Sequence, residues 1–168
     1  LTGVEGALNF NPIGEFTNAG LRSDAGKYIL DISATLGNKL NIALTVRDSA
    51  LPLLPNWPFD ELTAKGELSN NDLSISEFDA RIFGGVLQGD ASIGWHSGWR
   101  AQGNIVAKTI TMQRLNNLLE GNVEGSARFK MSSADLAGLA DSVVLNGSLM
   151  TKKGVISGMD IVETARTH

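Results

Sequence analysis

Apolar and polar residues alternate with a period of two along most of the chain, and successive runs face each other across short turns. Tyr28-Leu30-Ile32-Ala34-Leu36 and Leu40-Ile42-Leu44-Val46 are two such runs. Gly37-Asn38-Lys39 joins them as a three-residue loop, which predicts Leu36 opposite Leu40 and Ala34 opposite Ile42. Leu62-Ala64-Gly66-Leu68 meets Leu73 and Ile75 across Asn70-Asn71, a type I′ turn because Asn tolerates positive φ. Between Ile75 and Phe78 the phase slips by one, which predicts a β-bulge near Ser76-Glu77. A Gly84-Gly85 loop then pairs Ile82 with Leu87, Ala80 with Gly89 and Phe78 with Ala91. His96-Ser97-Gly98 pairs Trp95 with Trp99, Ile93 with Ala101, Ala91 with Gly103 and Gly89 with Ile105. Every apolar pair falls on one side of the sheet. Asp79, Arg81, Gln88, Asp90, Ser92, Arg100, Gln102 and Asn104 fall on the other.

The remaining segments frame this meander. Residues 1–26 alternate weakly and predict one or two short edge strands. Residues 51–59 hold three of the four prolines. Proline has no ladder donor, so this stretch reads as a connection or an edge. It separates an N-terminal hairpin segment, residues 1–50, from a main β module, residues 60–168. Met112, Leu115, Leu118 and Leu119 have helical spacing, with Thr109 or Thr111 as cap and Gly121 as stop, which predicts a helix from Thr111 to Leu119. Alternation returns over Val123–Met131, a short helix is expected over Ser133–Leu139, and Val143–Leu149 is the next strand. Lys152-Lys153-Gly154 reads as a turn into Val155-Ile156, and Met159–Arg166 as a helical tail. The expected fold is mainly β: a curved antiparallel meander with two or three short helices and one apolar face.

Small residues recur beside bulky ones on that face, as in Ala64-x-Gly66-x-Leu68, Gly89-x-Ala91-x-Ile93 and Gly125-x-Ala127-x-Phe129. They lower the wall there, either to admit a second layer or to leave a trough, and they favour strong curvature. Met112, Leu115, Leu118 and Leu119 read as a helix closing the sheet, in which case the wall is core.

Composition narrows the possible chemistry. The 168 residues are 42% apolar and 19% charged, with a net charge of −4. No Lys/Arg cluster exceeds Lys152-Lys153, so nucleic acid is not the expected partner. The chain has no cysteine, which excludes disulfides and thiolate metal sites and fits cytosol and periplasm equally. No apolar run reaches the roughly 20 residues that span a bilayer as a helix. The start at Leu1 reads as a piece of a longer protein. Two histidines, His96 in a turn and His168, cannot build a zinc site, and no metal or cofactor is expected. Asp79 and Asp90 facing each other would suggest acid–base chemistry, but Arg81 lies diagonally near both and relieves the repulsion. Gly84-Gly85-x-x-x-Gly89 joins two strands, opens no helix and lacks the Lys-Ser/Thr of a phosphate loop. Trp95 and Trp99 read as a core plug or as a rim for acyl chains or a membrane interface.

Residues 62–166 resemble the C-terminal region of the AsmA family of Gram-negative envelope proteins. The resemblance rests on Ala64-x-Gly66-x-Leu68 with Leu73-x-Ile75, on Phe83-Gly84-Gly85-x-x-x-Gly89, on Ile110–Leu119 leading into Val123-Glu124-Gly125, and on the closing run. That run, Leu145-Asn146-Gly147-Ser148-Leu149 then Gly154-Val155-Ile156-Ser157-Gly158-Met159-Asp160-Ile161, is the most specific part. The resemblance implies a periplasmic, non-enzymatic module of an inner-membrane-anchored protein linked to outer-membrane assembly and lipid homeostasis. It implies lipid, a membrane surface or other envelope proteins as partners. The residues expected to meet acyl chains are Leu87, Ile93, Trp95, Trp99, Ile105, Phe129 and Leu145. The competing reading is an envelope scaffold that binds a protein through an open strand edge.

Overall fold

The computed structural model describes residues 3–51, 54–114, 119–156 and 159–160. They form one antiparallel sheet in strict chain order. The strands are β1 Glu5–Phe10, β2 Phe16–Ser23, β3 Tyr28–Ala34, β4 Leu40–Leu51, β5 Leu54–Leu68, β6 Asp72–Ile82, β7 Gly85–Gly94, β8 Trp99–Thr111, β9 Leu119–Ser133, β10 Val144–Ile156 and β11 Met159–Asp160. Among the described residues β1 pairs only with β2, and β11 only with β10, so they form an open meander.

The pairings keep the expected apolar residues on one face, although two turns sit one residue away from where alternation places them. In the β3–β4 hairpin, Ala34 pairs with Leu40 and Ile32 with Ile42. Leu36 does not pair with Leu40: it lies in a longer loop closed by the Thr35 N–H to the Lys39 carbonyl at 3.0 Å, and it is 95% exposed. In the β6–β7 hairpin the turn is Phe83-Gly84, with φ of 52° and 74°, as a type I′ turn requires. Ile82 therefore pairs with Gly85, Ala80 with Leu87 and Phe78 with Gly89. Gly85 belongs to the strand because a Cβ there would lie 2.4 Å from the Lys108 carbonyl oxygen. Both corrections shift the register by an even step, which leaves the facing of every side chain unchanged. The pairs across Asn70-Asn71 (Leu68 with Leu73, Gly66 with Ile75) and around His96-Ser97-Gly98 (Ile93 with Ala101, Ala91 with Gly103, Gly89 with Ile105) form as expected, but the Asn70-Asn71 turn is not type I′, because neither asparagine has positive φ.

Bulges preserve the face where alternation breaks. Glu77 pairs with Lys65 and Ile75 with Gly66, so Ser76 is the extra residue, and Ile75 and Phe78 stay on the same side. The ladder also slips between Phe59 and Glu61 and between Ala107 and Ile110, where Thr109 has φ of 58°. These slips keep Phe59 with Leu62, and Ala107 with Ile110, on the apolar side.

Where the expected helices fall on described residues, strand and single 3-10 turns take their place. Thr111 still belongs to β8, facing Asn122, and donates its N–H to the Phe83 carbonyl at 3.0 Å. Met112–Arg114 is one 3-10 turn, and Leu119 already belongs to β9; Leu115 and Leu118 lie outside the described residues. In place of a helix from Ser133 to Leu139, β9 runs to Ser133 and a turn follows. The Asp135 carboxylate accepts the Gly138 N–H at 2.8 Å, a local bond that competes with helix formation. A 3-10 turn occupies Ala140–Ser142. Met159–Asp160 is a strand, and residues 161–166 of the expected helical tail lie outside the described residues. Lys152-Lys153-Gly154 is a register slip inside β10 rather than a turn. Of the proline-rich stretch, Leu51 ends β4 and residues 54–59 begin β5, with Leu51 opposite Leu54 and Ala50 opposite Pro58; residues 52–53 lie outside the described residues.

Burial concentrates at one end of the apolar face. Val46, Phe59, Leu62, Ala80, Ile82, Phe83 and Ile110 form a cluster, with Tyr28, Leu44, Phe78 and Leu87 packed against it. Val46 is 0% exposed and Ile82 1%. A flat single layer cannot exclude water so completely. The register slips at Asp60 and Lys108-Thr109, sites where a strand bends, keep Phe59 and Ile110 within the buried cluster. The Tyr28 hydroxyl reaches the Ala50 carbonyl at 2.6 Å, which satisfies the one polar tip in this cluster.

The apolar wall as a candidate functional site

The wall is built by cross-strand rows that combine large and small side chains. One row runs Leu40, Leu68, Leu73, Ile93, Ala101 and Met131. Another runs from Phe78 to Gly89, Ile105 and Ala127. A third passes from Ala91 to Gly103, Phe129 and Leu145. At Gly103 a Cβ would lie 2.1 Å from the Asp90 carbonyl oxygen and 2.8 Å from the Phe129 ring. The glycine therefore lets the ring lie down on bare backbone and lets neighbouring strands approach closely. This accounts for the small residues without a second layer: among the described residues, the element contacts of any extent join sequence neighbours.

All seven residues expected to meet acyl chains belong to this wall, in different degrees of shelter. Leu87 packs against the buried cluster, opposite Ala80 and Ala107. Ile93, Ile105 and Phe129 are half-buried along the rows. Leu145, on β10, is 57% exposed. Trp95 and Trp99 are half-buried and close the end of the β7–β8 hairpin, with ring centroids 5.6 Å apart and planes tilted by 35°. The Trp95 indole N–H donates to the Asn70 carbonyl at 3.2 Å and its backbone N–H to the Asn71 carbonyl at 3.0 Å. That ties this tip to the neighbouring turn. His96, between the two tryptophans, is exposed.

The opposite face is polar and knitted by exposed cross-strand pairs. Lys39 meets Glu67 at 2.5 Å, Lys65 meets Glu77 at 2.7 Å, and Glu61 is shared by Arg47 at 3.3 Å and Arg81 at 2.5 Å. The hydrogen bond that Lys39 donates to Glu67 lifts its amine above the ordinary range, and the one Lys65 donates to Glu77 does the same there. Asp79 and Asp90 are not a facing pair. Asp79 sits opposite Gln88, whose amide donates to it at 2.5 Å, and Asp90 sits opposite Asn104, which donates to both carboxylate oxygens at 3.0 and 3.1 Å. Arg81, expected between the two aspartates, goes to Glu61 because the real register places them opposite each other. Among the described residues no three His, Cys, Asp or Glu side chains are grouped to hold a metal. No described helix is long and apolar enough to cross a membrane.

The wall is wider than the seven named residues. β2–β4 continue it through Leu21, Leu30, Ile32, Ile42 and Leu44, a signal already present in the alternation of residues 28–46. At the end opposite the Trp95 tip, Trp57 meets Phe83 edge-on at 5.7 Å. This contact joins two hairpin ends distant in sequence, and no local pattern announces it. Comparison with protein-family models, curated proteins and solved structures gave no match.

Proposed function

We propose that the chain is a non-enzymatic lipid-sheltering module of a longer, inner-membrane-anchored, AsmA-like protein of the Gram-negative periplasm, serving outer-membrane assembly and lipid homeostasis. The observation that supports this reading most is the apolar face itself. It runs continuously from β2 to β10, and no helix among the described residues lies over it. The 13 residues of β8 extend about 43 Å at roughly 3.3 Å per residue. Half of a bilayer's apolar core is about 15 Å, so the wall is long enough for an acyl chain laid along a strand. Burial of apolar area, at about 25 cal/mol per Å², supplies the driving force, while the headgroup stays in water. Leu87, Ile93, Trp95, Trp99, Ile105, Phe129 and Leu145 are the proposed contacts.

Native mass spectrometry of the chain after expression in bacteria tests the proposal: co-purifying lipid, released by Ile105→Asp or Phe129→Asp, is the expected result. A lipid-free chain sinks it. The scaffold reading is favoured by one observation, the edge strand β1, whose six residues are all exposed. It predicts instead that a proline inserted in β1 abolishes capture of an envelope protein and leaves lipid content unchanged.

A further inference from the structure

Charge is divided unevenly along the chain: six Lys/Arg face twelve Asp/Glu over residues 1–98, whereas eight face six over residues 99–168. On the polar face the two halves also treat their cations differently. Four of the six cations of the first half (Lys39, Arg47, Lys65 and Arg81) are held by a glutamate on an adjacent strand. Arg100, Arg128 and Lys130 have no ion-pair or hydrogen-bond partner among the described residues. Yet they are close together. Lys130 sits opposite Gln102, Arg128 opposite Asn104, and Arg100 one step diagonal from Lys130. Diagonal and next-but-one neighbours on one face are about 7 Å apart, so three like charges share one small area with no ion pair among the described residues. All three side chains are exposed.

The surface around them is concave and rich in neutral donors. Three adjoining depressions of about 470, 570 and 720 Å³ lie on this face. Lys130 lines all three and Arg128 two of them, with Gln102, Ser126, Ser132 and Asn146 on the rims. Asp90, which lines one of these depressions with Arg128 and Lys130, accepts from the Asn104 amide.

We propose that the polar face of β8–β10 binds phosphate-type oxyanions, with Arg100, Arg128 and Lys130 as the charged contacts. A phosphate satisfies what this cluster lacks: it neutralises the mutual repulsion and accepts hydrogen bonds from guanidinium, ammonium and amide groups together. The site lies across the sheet from the apolar wall, so it does not depend on acyl-chain binding there.

Inorganic phosphate titrated into the isotope-labelled 168-residue chain is the first probe, read by backbone amide shifts. Saturable shifts confined to Gln102, Asn104, Arg128 and Lys130 are expected. The triple variant Arg100→Gln/Arg128→Gln/Lys130→Gln weakens binding at least about tenfold. The matched triple Arg22→Gln/Lys39→Gln/Lys65→Gln, which removes the same charge from the other half, leaves it unchanged. The single variant Lys130→Gln, read by the same shifts, serves if the first triple does not fold. Sedimentation with phosphatidylglycerol vesicles, against phosphatidylcholine vesicles, identifies the source. Binding to the anionic vesicles assigns a lipid headgroup, and phosphate shifts without vesicle binding assign a soluble phosphate compound. Absence of both, or equal loss in the two triple variants, overturns the proposal.

Discussion

Individual residues in this sheet differ sharply in what they contribute, because a single curved layer shelters only part of its apolar face. Ile82 is 1% exposed and surrounded by the cluster of Val46, Phe59 and Leu62, whereas Leu145 on the same face is 57% exposed. Ile82→Ala should therefore cost about 2–5 kcal/mol, the range for an emptied core site, and Leu145→Ala less than about 0.5 kcal/mol. Urea unfolding monitored by tryptophan fluorescence measures both. Gly103 is a second sensitive position. A side chain there meets the Asp90 carbonyl and displaces the Phe129 ring, so Gly103→Val should lower stability by about 1–3 kcal/mol, as overpacking does. The same replacement at Gly14, a turn position with open space around it, tests strain from positive φ without the clash.

At the scale of elements, the pairing of strands was legible and the connections were less so. Alternation fixes which face a residue occupies, and each register error was an even step that left facing intact. The slip at Ser76 was readable because Ile75 and Phe78 are separated by two polar residues. Phe59 to Leu62 and Ala107 to Ile110 carry the same three-residue step, and the structure resolves both as slips. Past Ala107 the change of phase looked like helical spacing, since a bulge and a helical turn both bring residues three apart onto one side. The bulge assignment has a direct consequence. Deleting Ser76 restores simple alternation and should be tolerated better than deleting Ser74, which sends Leu73 to the polar face; thermal melts of the two deletions decide this. The cross-strand pairs of Lys39 and Lys65 act while both amines are protonated. Their amines titrate above the ordinary lysine range in the folded chain, so the stability they add is present below that range and is lost as pH rises through the raised values. The stability difference between wild type and Lys39→Met/Lys65→Met should accordingly narrow on going from neutral to strongly alkaline solution. A difference that stays constant through that range contradicts the assignment.

At the largest scale, the described residues form one open sheet with two unlike faces. Its polar face carries ion pairs over β4–β6 and unpaired cations over β8–β9, and its apolar face is packed at one end and half-open along β7–β10. The candidate site was legible as a wall, because all seven residues chosen from alternation fall on it. Its degree of shelter was not legible, because curvature depends on slips and long-range contacts such as Trp57 with Phe83. The central claim is that acyl chains occupy the apolar face and not the polar one. Phe129 and Val106 lie on the adjacent strands β9 and β8 but project to opposite faces, Phe129 opposite Gly103 and Val106 opposite Ser126. A photo-crosslinking amino acid placed at each, in chains expressed in bacteria, compares the two faces in the same protein. Lipid crosslinked at position 129 and not at 106 is the predicted result; equal labelling at both positions, or none at 129, contradicts the account.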